Sequence, residues 1–121
     1  MEVGDKIPEV LGLDENGNEI RAEHFKGRKL ILYFYPKDLT SGCTTEACNL
    51  RDNYEQLSEN GYEVVGVSID NDTQHKKFIA KNNLPFHLIA DTEKTLVTQF
   101  GVWGEKKMYG RAYMGTFRTT F

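Results

Sequence analysis

The chain has 121 residues, 39% hydrophobic and 27% charged, with a formal net charge of −3, which suits one domain with one core and an ordinary globular composition. No basic stripe argues for a nucleic-acid partner, no apolar run approaches the roughly 20 residues that span a membrane, and Met1 to Pro8 lacks a signal-peptide hydrophobic region. A cytoplasmic protein is therefore expected, whose two cysteines are free, transiently oxidised or metal-bound rather than a permanent staple.

Residues 1–8 form a polar lead-in. Val10 to Leu13 and Glu19 to Arg21 flank Asp14-Glu-Asn-Gly-Asn, whose Asn16-Gly17 pair signals a small hairpin. His24 to Arg28 reads as a loop. Lys29 to Tyr35 is a largely apolar, aromatic run that fits a strand buried on both faces and ended by Pro36. A helix is expected from about Ser41 to Asn60. Thr40 is its N-cap, and Leu50, Tyr54 and Leu57 lie on its buried face. Gly61 stops it.

Tyr62 to Ile69 reads as a second buried strand. Asp72 or Thr73 caps the next helix, which runs to about Lys81 with Phe78 and Ile79 toward the core. Pro85 to Ala90 is a third short strand. Asp91-Thr-Glu opens a helix through Phe100, and Val102 to Gly115 reads as loop. Thr116 to Phe121 alternates as a strand, with Phe117, Thr119 and Phe121 on one side. This alternation predicts an α/β fold with parallel neighbours. The chain stops inside a strand pattern, which leaves a sheet edge poorly protected. A chain apparently truncated at the C-terminus, or completed by another chain, is expected.

The chemistry-bearing stretch is Tyr35 to Cys48, Tyr-Pro-Lys-Asp-Leu-Thr-Ser-Gly-Cys-Thr-Thr-Glu-Ala-Cys, which holds both cysteines. Cys43 falls in the first turn of a helix, where unpaired backbone N–H groups and a partial positive charge favour a thiolate. Cys48 lies five positions on, about 7.5 Å along the axis and about 140° around it. A disulfide needs Cα atoms within roughly 7 Å and converging Cβ directions. The intact helix therefore holds the two thiols apart, and bonding them requires at least one turn to unwind. A thiolate there can attack a peroxide and become a sulfenic acid. Thr40 offers a hydroxyl to sulfur and peroxide, and Pro36 shields the site from water. A guanidinium would stabilise the developing charge. Arg118 is the candidate, with Arg51 and Arg111 as competitors.

Pro36-x-x-x-Thr40-x-x-Cys43 resembles the peroxiredoxin active-site signature. The longer run from Tyr35 to Cys48 is similar to the bacterioferritin comigratory protein, or peroxiredoxin Q, subfamily. Matching features continue at Val64-Val-Gly-Val-Ser, Leu84-Pro-Phe, Ala90-Asp, Gly101-Val-Trp-Gly-Glu-Lys and Arg118-Thr-Thr-Phe. The resemblance implies a thioredoxin-like fold with an N-terminal β-hairpin extension over residues 1–121. It also implies a thiol-dependent peroxidase acting on hydrogen peroxide and organic hydroperoxides without metal, haem or flavin. Cys43 is then the peroxidatic cysteine and Cys48 the resolving one, supported by Pro36, Thr40 and Arg118, with thioredoxin or a similar dithiol as reductant. A monomer is expected. Two departures stand out: Ser41 replaces the usual proline, and the family's further strand and C-terminal helix do not follow Phe121.

Other readings of the same residues are a thiol redox sensor using the same switch and, more weakly, a zinc module. Zinc usually takes four ligands, with paired cysteines about two to four residues apart. The Cys43–Cys48 spacing sits at the edge of that range with no histidine nearby. Cys48 alone could be a small core residue. Glu46 reads as a favourable first-turn carboxylate that can also orient an arginine. His24, His75 and His87 read as surface or hydrogen-bonded histidines rather than ligands.

Overall fold

The computed structural model describes residues 7–38, 41–108 and 110–121. Strands β1 (Val10–Leu13) and β2 (Glu19–Arg21) form the expected hairpin. Its turn is closed by Asp14, whose Oδ1 accepts the N–H groups of Asn16 at 2.8 Å and Asn18 at 3.0 Å. Gly17 there has φ +78°, a left-handed conformation that costs glycine little. A 3₁₀ turn over Ala22–Phe25 replaces part of the loop expected from His24.

Four strands make the central sheet: β3 (Lys29–Phe34), β4 (Tyr62–Ser68), β5 (His87–Ala90) and β8 (Thr119–Thr120), in the order β5-β4-β3-β8. The first three are parallel, and β8 runs antiparallel along β3. Successive residues of these strands point to opposite faces. Leu32, Phe34, Val65, Val67 and Ile89 face a core completed by Leu96, Val97, Phe100 and Val102. Tyr33, Tyr35, Val64 and Leu88 face the opposite core with Cys43, Ala47, Phe78, Leu84 and Phe86. Gly66 permits the second packing, because a Cβ there would lie 2.8 Å from the Tyr33 ring and 2.7 Å from Leu88. The result is a thioredoxin-like fold carrying an N-terminal hairpin.

The long helix expected from Ser41 to Asn60 is two: α1 (Ser41–Asp52) and α2 (Tyr54–Glu59). Asn53 lies between them with non-helical dihedrals, and its Nδ2 donates to the Asn49 carbonyl at 2.8 Å. A side-chain amide that competes for a helix carbonyl disturbs the ladder locally. Helix α3 (Asp72–Asn82) is capped one residue earlier than expected. Asn71 Oδ1 accepts from Gln74 N at 2.9 Å and Gln74 Oε1 accepts from Asn71 N at 3.0 Å, a reciprocal capping box.

Helix α4 (Thr95–Gln99) is shorter than expected, because Asp91 does not open it directly. Asp91 reaches across a turn to accept from Leu96 N at 3.1 Å and Val97 N at 2.8 Å. The stretch read as loop after Val102 is a hairpin, β6 (Trp103–Met108) and β7 (Arg111–Thr116). Its alternation is hidden by Gly104 and Gly115, which face each other in register and leave room for Phe117 and Lys106. Among the described residues, no helix is long and apolar enough to cross a membrane.

Glu15 clips the N-terminal hairpin to β5, its Oε1 lying 2.8 Å from His87 Nδ1. The hydrogen bond and charge of Glu15 hold His87 above its ordinary value of 6.5 against a smaller opposing effect of burial. Burial works to raise Glu15, but His87 and backbone N–H groups outweigh it and hold the carboxyl below its ordinary 4.5. Stability from His87 is complete below its unfolded pKa and fades as pH rises through the raised folded one. Stability from Glu15 is complete above its unfolded pKa and fades as pH falls through the lowered folded one. His87→Gln should therefore lower the melting temperature most between about pH 4.5 and 6.5. Melting curves of both proteins from pH 4 to 9 check this, with the difference expected to shrink toward the alkaline end.

Candidate active site

Cys43 is the third residue of α1 and only 1% exposed. Its position follows from the strand before it. β3 ends at Phe34, although Tyr35 N still donates to Val67 O at 3.1 Å. Pro36, half-buried, has no N–H with which to continue the ladder. Helix α1 packs Cys43 and Ala47 on the Tyr33 and Tyr35 face of the sheet. Thr40, expected both as N-cap and as a hydroxyl beside the sulfur, lies outside the described residues.

The partner of Cys43 comes from the far end of the chain. Arg118 Nη2 donates to Cys43 Sγ at 3.1 Å, and Nη1 donates to Glu46 Oε1 at 2.8 Å. Backbone pairing explains how Arg118 arrives there. Thr119 and Thr120 pair with Phe34 and Tyr33. Leu32 and Phe121 exchange two backbone bonds, at 3.0 and 2.8 Å. Phe121 also packs on Phe34 and Phe100, with ring centroids 5.8 and 5.1 Å away. Gly42 leaves space for the guanidinium, since a Cβ there would lie 3.4 Å from Nη2. Burial disfavours the Arg118 cation, but the Cys43 sulfur and the Glu46 carboxylate outweigh it and raise its pKa above the ordinary value.

Of the competing arginines, Arg51 is bound elsewhere: its Nη1 donates to the Asn82 carbonyl at 2.7 Å. The side chain of Arg111 lies outside the described residues. Glu46 takes the arginine-orienting position. Cys48 is half-buried on the same helix, with Sγ 3.6 Å from Asn82 Oδ1. Both thiols are free, and they face different partners, Arg118 on one side and α3 on the other.

Sequence reasoning missed a buried polar network below the loop. Tyr35 OH donates to Asp38 Oδ1 at 2.5 Å, Asp38 Oδ2 lies 2.5 Å from His75 Nδ1, and Asp38 N donates to Asp70 Oδ2 at 2.7 Å. Burial, and after it the charge of Asp38, pushes Tyr35 well above the ordinary phenol value, which keeps its hydroxyl a donor. A usable signal existed: His75 stands three residues before Phe78, on the apolar face of its helix. Tyr33 OH, buried beside this network, has no hydrogen-bond partner among the described residues. A cleft of about 440 Å³ lies at the other end of the strands, lined by Asp14, His24, Arg28, Tyr54, Glu63 and His87.

A cysteine sulfur at a helix start, paired with a guanidinium on a thioredoxin-like sheet, fits a protein of thiol chemistry. Residues 3–121 match the AhpC/TSA family. The chain is 45% identical over its whole length to peroxiredoxin Bcp of Bacillus subtilis and covers 77% of that protein. It aligns over its full length with 77% of a Xylella fastidiosa PrxQ mutant crystal structure, at 32% identity and a TM-score of 0.90. Over 90% of its length it aligns with 69% of a Xanthomonas campestris bacterioferritin comigratory protein. That match has 35% identity and a TM-score of 0.83, and the structure is described in terms of alkyl peroxide reduction and trapped intermediates. The chain thus belongs to the AhpC/TSA family, within its Bcp and PrxQ peroxiredoxins.

Arg118→Met should slow the reaction of Cys43 with hydrogen peroxide by roughly 10²-fold or more, the scale of losing one charge-directed donor at a reacting centre. Stopped-flow peroxide consumption checks it, with the melting temperature expected to change little.

Proposed function

We propose that Cys43 is the nucleophile of a thiol-dependent peroxidase and that Cys48 resolves its oxidised form. The observation that carries this reading is the Arg118 guanidinium, 3.1 Å from Cys43 Sγ. In the first step the Cys43 thiolate attacks one oxygen of R–O–O–H. The O–O bond breaks, the second oxygen leaves as alkoxide or hydroxide and takes up a proton, and sulfur is oxidised to sulfenic acid. Arg118 stabilises the ionised sulfur and the charge developing on oxygen. Pro36, half-buried at the end of the strand, and Thr40 are proposed as the remaining supporting residues, on their match to the signature Pro36-x-x-x-Thr40-x-x-Cys43.

In the second step α1 unwinds locally, because an intact helix keeps the two sulfurs apart. The Cys48 thiolate attacks the Cys43 sulfur, the S–O bond breaks, and hydroxide leaves and takes up a proton to become water. The disulfide is then reduced by an external dithiol protein, with thioredoxin the expected donor of the two electrons. The zinc reading fares worse, because the guanidinium beside Cys43 would repel a second cation. Hydrogen peroxide and organic hydroperoxides are the proposed substrates, in keeping with the alkyl peroxide activity named for the Xanthomonas relative.

Intact mass after titration with one equivalent of hydrogen peroxide tests the cycle. The wild-type chain should lose two hydrogens. Cys48→Ser should consume about one equivalent, retain oxygen and stall without turnover. Cys43→Ser should consume none, and full thioredoxin-dependent turnover by that variant would remove the basis of the assignment.

A further inference from the structure

Helix α3 meets the cysteine-bearing segment at both ends. At the front, Asp38 is buried in the loop before α1, five residues ahead of Cys43. His75, in the first turn of α3, is fully buried, with Nε2 2.9 Å from the carbonyl oxygen of Ile89 and Nδ1 2.5 Å from Asp38 Oδ2. A carbonyl oxygen only accepts, so Nε2 carries a hydrogen. On its other side the ring is tied by the Nδ1–Oδ2 contact to Asp38, so both ring nitrogens are engaged. Tyr35 OH and Asp70 hold Asp38 from two further sides. Neither ring nor carboxyl can swing away without stranding a buried polar group, which makes this a stiff anchor.

At the back, Asn82 ends α3. Its Oδ1 accepts from Cys48 Sγ at 3.6 Å and its carbonyl accepts from Arg51 Nη1 at 2.7 Å. This second anchor is half-buried; its Arg51 bond is charge-assisted, but its hold on Cys48 itself is a single weak thiol donor. The loop before Cys43 and the thiol of Cys48 are therefore held against the same helix with unequal strength.

We propose that α3 is a frame for the catalytic segment, in which the Asp38–His75 pair and Asn82 are positioning residues with opposite effects. The pair fixes the entry to α1 so that Cys43 stays beside Arg118 while it attacks peroxide. Asn82 restrains Cys48 until α1 opens for disulfide formation. The inference rests on the peroxidase reading given above. The firm front and weak back mean that the helix opens from the Cys48 side, while Cys43 keeps its place.

The test measures two rates separately, with hydrogen peroxide as probe and rapid quenching followed by thiol alkylation and intact mass. Asp38→Asn and His75→Gln should each slow sulfenic acid formation roughly ten- to a hundredfold, the scale of a small misplacement at a reacting centre. Neither should slow disulfide closure. The double variant should be no worse than the poorer single one, because the two residues act as a unit. Asn82→Ala should leave sulfenic acid formation within about twofold, a change too small for a lost positioning contact, and should speed closure. Wild-type sulfenic acid rates in both pair variants would overturn the proposal, as would an Asn82→Ala loss equal to theirs.

Should the pair variants not fold, amide hydrogen exchange of Asn82→Ala decides. Faster exchange around Cys48, with the Cys43 turn still protected, supports the frame; unchanged exchange around Cys48 overturns it. The exchange measurement needs no peroxide. A wild-type chain whose Cys43 ignores peroxide therefore sinks the peroxidase reading, while the frame is still judged by exchange.

Discussion

A guanidinium resting on a buried sulfur is the interaction around which this molecule is built. Cys43 is almost completely removed from water, and an ionised group in that position is costly unless charge and hydrogen bonds replace the lost solvent. The Arg118 fork, 3.1 Å away, supplies such a hydrogen bond, at a helix start, a place that favours negative charge. Glu46 holds the other arm of that fork, so the arginine is aimed rather than merely nearby. Everything that fixes Arg118 thus acts on the sulfur. The strand that follows Arg118 is only two residues long, extended by the Phe121–Leu32 backbone bonds, and the Phe34, Phe100 and Phe121 rings supply the packing that so short a strand cannot supply alone.

The same sheet serves two chemically different cores. One face is purely apolar, built from Leu32, Phe34, Val65 and Val67. The other carries Tyr33 and Tyr35, stacked with ring centroids 5.3 Å apart, and below them a network of buried polar groups. The division follows from the pleat: adjacent residues in Tyr33-Phe-Tyr must face opposite ways. Cys43 lies over the polar face, where Asp38, His75 and Asp70 give the preceding loop fixed hydrogen-bond partners. A loop pinned in this way presents its helix start in one orientation, as preorganised chemistry requires.

Much of this was legible in the chain before its structure. The parallel strands were visible because runs such as Tyr62 to Ile69 are long, β-branched and bounded by turn residues. The position of Cys43 at a helix start followed from the motif spacing, and Arg118 was the favoured arginine. What escaped notice had local causes. The β6–β7 hairpin is disguised by Gly104 and Gly115, which contribute no side chain to an alternating pattern because rings and stems fill their space. Helix α4 starts late because Asp91 caps it from across a turn rather than from its first position. The Asp38–His75 contact joins residues 37 positions apart, and no local pattern in the sequence announces such a partnership.

The interruption at Asn53 carries a mechanical meaning. A continuous helix from Ser41 to Glu59 would transmit any loosening along its full length, dragging Tyr54 from its place against Phe86. Asn53 interrupts that continuity with non-helical dihedrals, so a loosening that began in α1 would meet a firebreak after its twelve residues. The second helix has its own hold on the sheet, where Tyr54 OH donates to Glu63 Oε1 at 2.7 Å, and that hold does not depend on the first.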